Sequence, residues 1–339
     1  MSQALSEFLG WRKHGYADTR ALGECLQALI DEGLDQLPSP TSGQILERWQ
    51  ALACVAGHDL GLCKLYEGHT DALAIMQEVG AGAPQAGTSW GMWAAEPPQA
   101  RVNLQRKGDV LHVNGRKAWC SGAAVLSHAL MTAWDEDGQQ QLVAVDLKQS
   151  GVNITQEGWR AVGMGATGSV GVEFSRAEGV AVGKPGDYLA RPGFWQGGIG
   201  IAACWYGASR ALAQRLLTQA CKSPEPHAMA HLGAVDVALY SAWTTLQHAA
   251  QTINQSPTSD AQLLARRSRA VIEHSAEQVI LHVGHALGAG PYCKDAHFAR
   301  LIADLPVFLR QSHAERDLAA LADLTTTQAL PAPSRMWQL

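Results

Sequence analysis

The apolar positions change their period twice along the chain. Over residues 1–85 they recur at helical spacing: Leu22, Cys25, Leu26 and Ile30, then Leu52, Val55 and Leu62, then Leu73, Ile75 and Met76. The stretch GAGAPQAG (80–87) ends this layer, because clustered glycine and proline break a helix. From 88 to about 185, short runs of β-forming residues alternate with turn signals. Runs at 89–95, 110–113, 130–134, 142–145 and 170–174 predict strands. Lys107-Gly108-Asp109 and Asp137-Gly138 predict turns, and Asn114-Gly115 predicts a hairpin. Even spacing with no helical stretch between the runs predicts an antiparallel sandwich or barrel.

From residue 195 the helical period returns. Ile201, Trp205, Ala208, Leu212 and Leu216 form one stripe, and Leu232, Val235, Leu239, Ala242, Leu246, Ala249 and Ile253 a second. Leu264, Val271, Val279 and Val283 form a third, and Leu301, Leu305 and Phe308 open a fourth. Ser223-Pro224-Glu225-Pro226 and Ser256-Pro257 separate them. Four helices of roughly 20–28 residues with short links predict an antiparallel four-helix bundle. The predicted class is α+β, mainly α: an N-terminal helical domain (1–87), a middle antiparallel β domain (88–190) and a C-terminal four-helix bundle (191–330). The tail, 331–339, reads as loose.

Composition narrows the function classes. The 26 basic and 31 acidic side chains leave a net charge of -5 with no basic block, which argues against nucleic acid. No run of 18 apolar residues predicts a membrane span. The start, MSQALSEFLGWRKHG, lacks a charged-then-apolar leader, so a cytoplasmic location is expected. The seven cysteines are scattered and contain no C-x-x-C, which predicts reduced thiols and neither a disulfide frame nor a zinc site.

Several segments, in this order, resemble the acyl-CoA dehydrogenase family. SWGMWAAEP (89–97) resembles its first flavin-contacting strand, and GDVLHVNGRKAWCSGA (108–123) its "GD…NG-x-K-x-WITNG" stretch. MGATGS (164–169) with Val172-Glu173-Phe174, GASRAL (207–212) and LGAGPY (287–292) are similar to later segments of the family. The matches span about 88–318. The resemblance implies bound FAD, with Trp119 walling the ring, Ser121 at the flavin N5 edge, backbone of Trp93, Ala94 and Ala95 on the pyrimidine side, and Cys120 and Gly288 nearby. These needs are physical as well: a flavin requires an apolar wall, hydrogen bonds at its edge and exclusion of water. The resemblance also implies a homodimer or homotetramer acting on an acyl-CoA or similar thioester.

The sequence departs from the family at several points. Ala95 stands where a threonine is usual, Pro98-Gln99-Ala100-Arg101 replaces "GSD", and CKSPEPH (221–227) replaces "R-x-x-FG", the motif that reaches a neighbouring subunit's cofactor pyrophosphate. Lys222 and His227 are the phosphate-binding candidates there, although lysine is a point charge and not a fork. The usual glutamate base is also absent. Its column falls at Arg310 to Ser312 in LPVFLRQSHA (305–314), and QGGI (196–199), the alternative position, holds no carboxylate. Arg310, Ser312 and His313 are the catalytic candidates, His313 because its ordinary pKa lies near neutrality. The bland alternative is a solvated, charge-paired face made by Arg310, His313, Glu315, Arg316 and Asp317. Asp304 and Glu315 flank the gap.

The implied activity is therefore an acyl-CoA dehydrogenase-like flavin oxidation without its usual base. Three alternatives stay open: a flavin-dependent monooxygenase on the same fold, a cofactor-free binding or scaffold protein, and a non-redox thioester enzyme. Other features read as structural. His58 and His69 are expected to be satisfied surface histidines. His274, His282 and His285 are expected to serve cofactor-adjacent packing or a bundle-core hydrogen bond and not as metal ligands. The segment 191–195 marks either a substrate entrance or a hinge.

Overall fold

The computed structural model describes residues 2–12, 14–108, 110–330, 332, 333 and 337. Asp109 and most of the 331–339 tail lie outside the described residues. Four helices come first: α1 (Ser2–Gly10), α2 (Thr19–Asp31), α3 (Ile45–His58) and α4 (Leu60–Glu78). Asp18 and Asp59 cap α2 and α4, each carboxylate accepting from a backbone N–H at 2.9 Å. Among the described residues seven strands follow: β1 (Trp90–Trp93), β2 (Val102–Lys107), β3 (Val110–Cys120), β4 (His128–Trp134), β5 (Gln140–Asp146), β6 (Val152–Ile154) and β7 (Val170–Val182).

The strands β2, β3, β7, β5 and β4 pair in that cyclic order and close a barrel, with β1 added to β4 and β6 to β7. The expectation of an all-antiparallel domain is corrected here, since β1 and β2 both meet β4 in parallel. Two strands escaped the sequence pattern, β2 because VNLQRK is mostly polar and β6 because it is three residues long.

The hairpin expected at Asn114-Gly115 is also corrected. The chain reverses between β2 and β3 at Lys107–Val110, and β3 runs straight through Asn114-Gly115. The pair serves a bulge in the neighbouring strand. Val113 faces Ala177 and Gly115 faces Phe174, so β7 holds the extra residue. Arg176 takes a left-handed φ of 55°, and its N–H donates to Asn114 Oδ1 at 2.9 Å. Gly115 itself has φ 117°, and a Cβ there would sit 2.2 Å from the Arg101 carbonyl. The residues that make a tight turn thus also suit a bulge.

The remaining helices are α5 (Asp187–Ala190), α6 (Gly193–Lys222), α7 (Pro226–Gln255), α8 (Gln262–Leu287), α9 (Ala289–Lys294), α10 (Ala296–Leu309) and α11 (Glu315–Ala329). The expected breaks at 223–226 and 256–257 appear between α6, α7 and α8. The expected fourth long helix is instead two shorter ones. It is interrupted at 310–314, where Ala314 has φ 44°.

Helix α6 crosses α3 closely through glycines. A Cβ on Gly207 would lie 2.2 Å from the Ala53 carbonyl oxygen and 2.6 Å from its Cα. Alanine usually stabilises a helix by about 0.5–1 kcal/mol over glycine. Here the sign reverses, because backbone cannot yield as a side-chain tip can. Gly207→Ala is expected to lower stability by about 1–3 kcal/mol in chemical denaturation.

Candidate functional site

The sequence candidates on β1 and β3 come together. Trp93 Nε1–H donates to the Ser121 carbonyl at 3.2 Å, which ties the end of β1 to the end of β3. A second bulge lies here: Lys117 faces Val172 and Cys120 faces Val170, so β3 holds the extra residue. Trp119 occupies it with φ 56°, a conformation rare for a bulky side chain. The bulge turns the indole out of the barrel wall, leaving Trp119 51% exposed between the buried Cys120 and Lys117. Such strain costs of order 1–3 kcal/mol and clusters at functional sites. Burial holds the Cys120 thiol well above its ordinary pKa.

Lys117, which the sequence reading did not single out, is 1% exposed. Its Nζ donates to the Thr132 carbonyl (2.7 Å), to Thr132 Oγ1 (2.9 Å) and to Glu96 Oε1 (3.4 Å). Glu96 also accepts from Thr132 Oγ1 (2.6 Å) and from Trp134 Nε1 (3.0 Å). The segment Ala94-Ala95-Glu96 beyond β1 is therefore fixed to β4 through a buried ammonium.

A chain of hydroxyls runs inward from Ser121. Ser121 Oγ lies 2.7 Å from Ser169 Oγ, which lies 2.8 Å from Thr167 Oγ1, which donates to the Met164 carbonyl at 2.7 Å. Each hydroxyl has one proton. Thr167 uses its proton on the carbonyl, so Ser169 donates to Thr167, and Ser121 donates to Ser169. Ser121 is left offering only lone pairs outward.

Helices close the other side. Helix α4 is nearly all buried, yet Lys64 and Asp71, two turns apart, stay partly accessible. Lys64 Nζ is paired with Glu67 Oε2 at 2.8 Å and lies 5.9 Å from the Phe308 ring. Burial pushes the Glu67 carboxyl up, partly offset by Lys64, whose ammonium the pairing favours. Across from it, Arg269 of α8 donates to the carbonyls of Gly198 (2.6 Å) and Gln311 (3.4 Å).

The remaining candidates lie elsewhere. Arg310 is half exposed and bound to Glu273 (3.0 Å) and Glu277 (3.1 Å) on α8. Ser312 Oγ accepts from the Ala314 N–H at 3.1 Å. His313 is exposed, 3.8 Å from Asp317. Gly288 ends α8 with φ 61°, in open space. Lys222 and His227 are exposed. Arg191 is buried against Glu78 at 2.8 Å, and Glu78 also accepts the Gly193 N–H at 2.6 Å. That clamp fixes the crossing from barrel to bundle.

His58 and His69 are corrected from surface to buried positions. Tyr16 OH lies 3.2 Å from His58 Nε2, and desolvation holds the His58 pKa down to about 4. His69 Nδ1 accepts the Trp90 N–H (3.2 Å), so its Nε2–H donates to Asp35 (3.1 Å). His282 bonds to His231 at 2.9 Å. Among the described residues no group of three or more such side chains is placed to hold a metal.

Asp304 accepts from the Met164 N–H where α10 meets the 163–168 loop. Burial raises its pKa to about 6 against an ordinary 3.8. Its protonated form is thus favoured on folding. The stability it adds is full below pH 3.8 and is lost as pH rises through about 6. Asp304→Asn keeps the acceptor and removes the charge. It should flatten stability between those pH values and raise it at pH 7 by about 1–3 kcal/mol, read from denaturation midpoints against pH.

Comparison with known proteins supports the fold. No protein-family model matches the chain, and no curated protein matches it by sequence. Solved structures do match. Methanesulfinate monooxygenase MsuC from Pseudomonas fluorescens superposes with a TM-score of 0.78 at 18% identity, covering 96% of this chain and 97% of that one. FMN-bound TdsC, a dibenzothiophene monooxygenase from Paenibacillus sp. A11-2, gives 0.76 at 18% identity, covering 95% and 94%. The nitrososynthase from Micromonospora carbonacea var. africana gives 0.72 at 18%, covering 90% and 88%. The chain has the fold of the acyl-CoA dehydrogenase-like flavin enzymes. At this identity the likeness establishes that fold and leaves the chemistry to the residues. No helix of the described chain is long and apolar enough to cross a membrane.

Proposed function

We propose that the protein is a flavin-dependent monooxygenase that uses reduced FMN. The observation that carries this reading is the direction of the hydroxyl chain. Ser121 presents lone pairs only, which suits the N–H edge of a reduced flavin and not the bare nitrogen of an oxidised one. The residues present fit the ring: Trp119 is turned outward as a wall, Ser121 stands at its edge, and the Trp93–Ala95 backbone is held by Lys117 and Glu96. When bound and reduced, the flavin supplies the two electrons by which one atom of O2 enters the substrate and the other leaves as water.

FMN is favoured over the FAD expected from sequence. FMN ends in a single phosphate and has no pyrophosphate for the absent "GSD" and "R-x-x-FG" motifs to hold. The monooxygenase neighbours, one of them solved with FMN, point the same way. Oxygen activation also needs no α-proton base. The acyl-CoA dehydrogenase reading does need one, and the 310–314 turn offers no carboxylate to act as it. We further infer self-association through α7, whose outer face exposes Met229, Val237, Tyr240 and Trp243.

The test is a spectral titration with FMN and FAD, followed by oxygen uptake with chemically reduced FMN. Tighter FMN binding and flavin-dependent oxygen consumption support the proposal. Tighter FAD binding with bleaching by an acyl thioester restores the dehydrogenase. Binding of neither flavin leaves the cofactor-free protein.

A further inference from the structure

We propose that Arg269 forms an oxyanion-binding subsite where α8 meets the glycines of α6 and the 310–314 turn, so that the substrate is a small organic molecule bearing a carboxylate-like group and not a fatty acyl thioester. The proposal rests on the flavin reading for what happens at the site, and on the following geometry for what enters it.

Arg269 has no carboxylate partner among the described residues. Its acidic neighbours are committed elsewhere, Asp317 to Arg266 at 3.1 Å, Glu273 to Arg310 at 3.0 Å and Glu67 to Lys64 at 2.8 Å. Its guanidinium lies over the Trp205 ring at 4.8 Å and reaches two backbone carbonyls, one of them at only 3.4 Å. Five N–H donors in a rigid fork are therefore underused, and that fork matches a two-oxygen anion. Burial disfavours the lone cation, a penalty that a bound anion offsets.

The position matters as much as the charge. Gln311, whose carbonyl takes the long Arg269 contact, lies in the turn where the family resemblance places a carboxylate base. The wall there carries a cation instead, so the charge is reversed. Opposite stands the α4 face, where Lys64 is already neutralised by Glu67. Between them α6 offers Gly197 and Gly198. A Cβ at these positions would meet its nearest atoms at 3.5 and 3.8 Å, ordinary contact distances. Packing does not demand these glycines, although each weakens the helix by about 0.5–1 kcal/mol relative to alanine. They leave that wall bare beside the arginine. An apolar acyl chain laid here would desolvate Asp71 and Arg269 without offering either a partner.

The experiment uses full-length protein with saturating FMN, titrated with propionate and, as a neutral control, propionamide. Binding is read by calorimetry and by thermal shift. Propionate should bind and raise the melting temperature, and propionamide should do neither. Arg269→Gln should weaken propionate at least tenfold while retaining FMN affinity, and Arg269→Lys should retain part of the binding. Unchanged propionate affinity in Arg269→Gln overturns the proposal. So does a loss of FMN but not riboflavin affinity, which would assign the fork to the cofactor phosphate. Should the wild type bind no flavin while propionate binding still depends on Arg269, the monooxygenase reading fails and the anion site stands.

Discussion

Replacing Lys117 by methionine is expected to lower stability by about 3–5 kcal/mol, because removing one partner leaves a desolvated charge behind. The charge left without its counter-ion is Glu96, which keeps only the neutral donors Thr132 and Trp134, together with the Thr132 carbonyl that loses the Lys117 ammonium. Methionine fills much of the same volume, so the loss reports the unpaired polar groups and not a cavity. The double variant Lys117→Met with Glu96→Gln should recover part of the loss, since the amide carries no charge. Chemical denaturation of the set gives the coupling directly. Flavin affinity should fall with the single substitution, because Glu96 fixes the segment that follows Trp93. A Lys117→Met protein as stable as wild type would show that the ammonium is dispensable.

The second large effect concerns redox preference. Ser169→Ala removes the acceptor that holds the Ser121 proton inward. That proton then becomes free to donate outward, towards the unprotonated nitrogen of oxidised flavin. The ratio of affinities for reduced and oxidised FMN should fall about tenfold, which lowers the bound midpoint potential by about 30 mV for a two-electron couple. Thr167→Val should act in the same direction, since Ser169 then has its own proton to spare. An unchanged potential in both variants would mean that Ser121 does not face the flavin edge. Potentiometry on bound FMN decides this without any assay of turnover.

Much of the order of elements was legible because it depends on local periodicity. The GAGAPQAG break and the prolines at 224, 226 and 257 mark real ends of helices. Trp119 and Ser121 were singled out through a resemblance in their neighbourhood, and the structure sets them at the end of β3 beside Trp93. The misreadings share a different cause. Asn114-Gly115 carries the conformational signature of a tight turn, and only strand pairing reveals that it serves a bulge. The fourth stripe ends at Phe308, and nothing local distinguishes a helix that stops there from one that resumes at Glu315. Lys117 occupies an alternating inward position on β3, a local signal that a polar side chain disguises. Ser169 and Arg269 meet partners far away in sequence, Ser121 at a separation of 48 and Gln311 at a separation of 42. Such pairings leave no mark in a single chain.

The barrel closes on itself, yet β1 pairs only with β4 and keeps one side open. On that side the Trp90 N–H is taken by the imidazole of His69, carried by α4. An unpaired strand edge is a template on which another chain can add. The histidine therefore works as a stopper, and α4 as the arm that holds it in place. Departure of this helix on heating is expected to uncover the β1 edge before the barrel itself opens, which hydrogen exchange at the Trp90 amide reads.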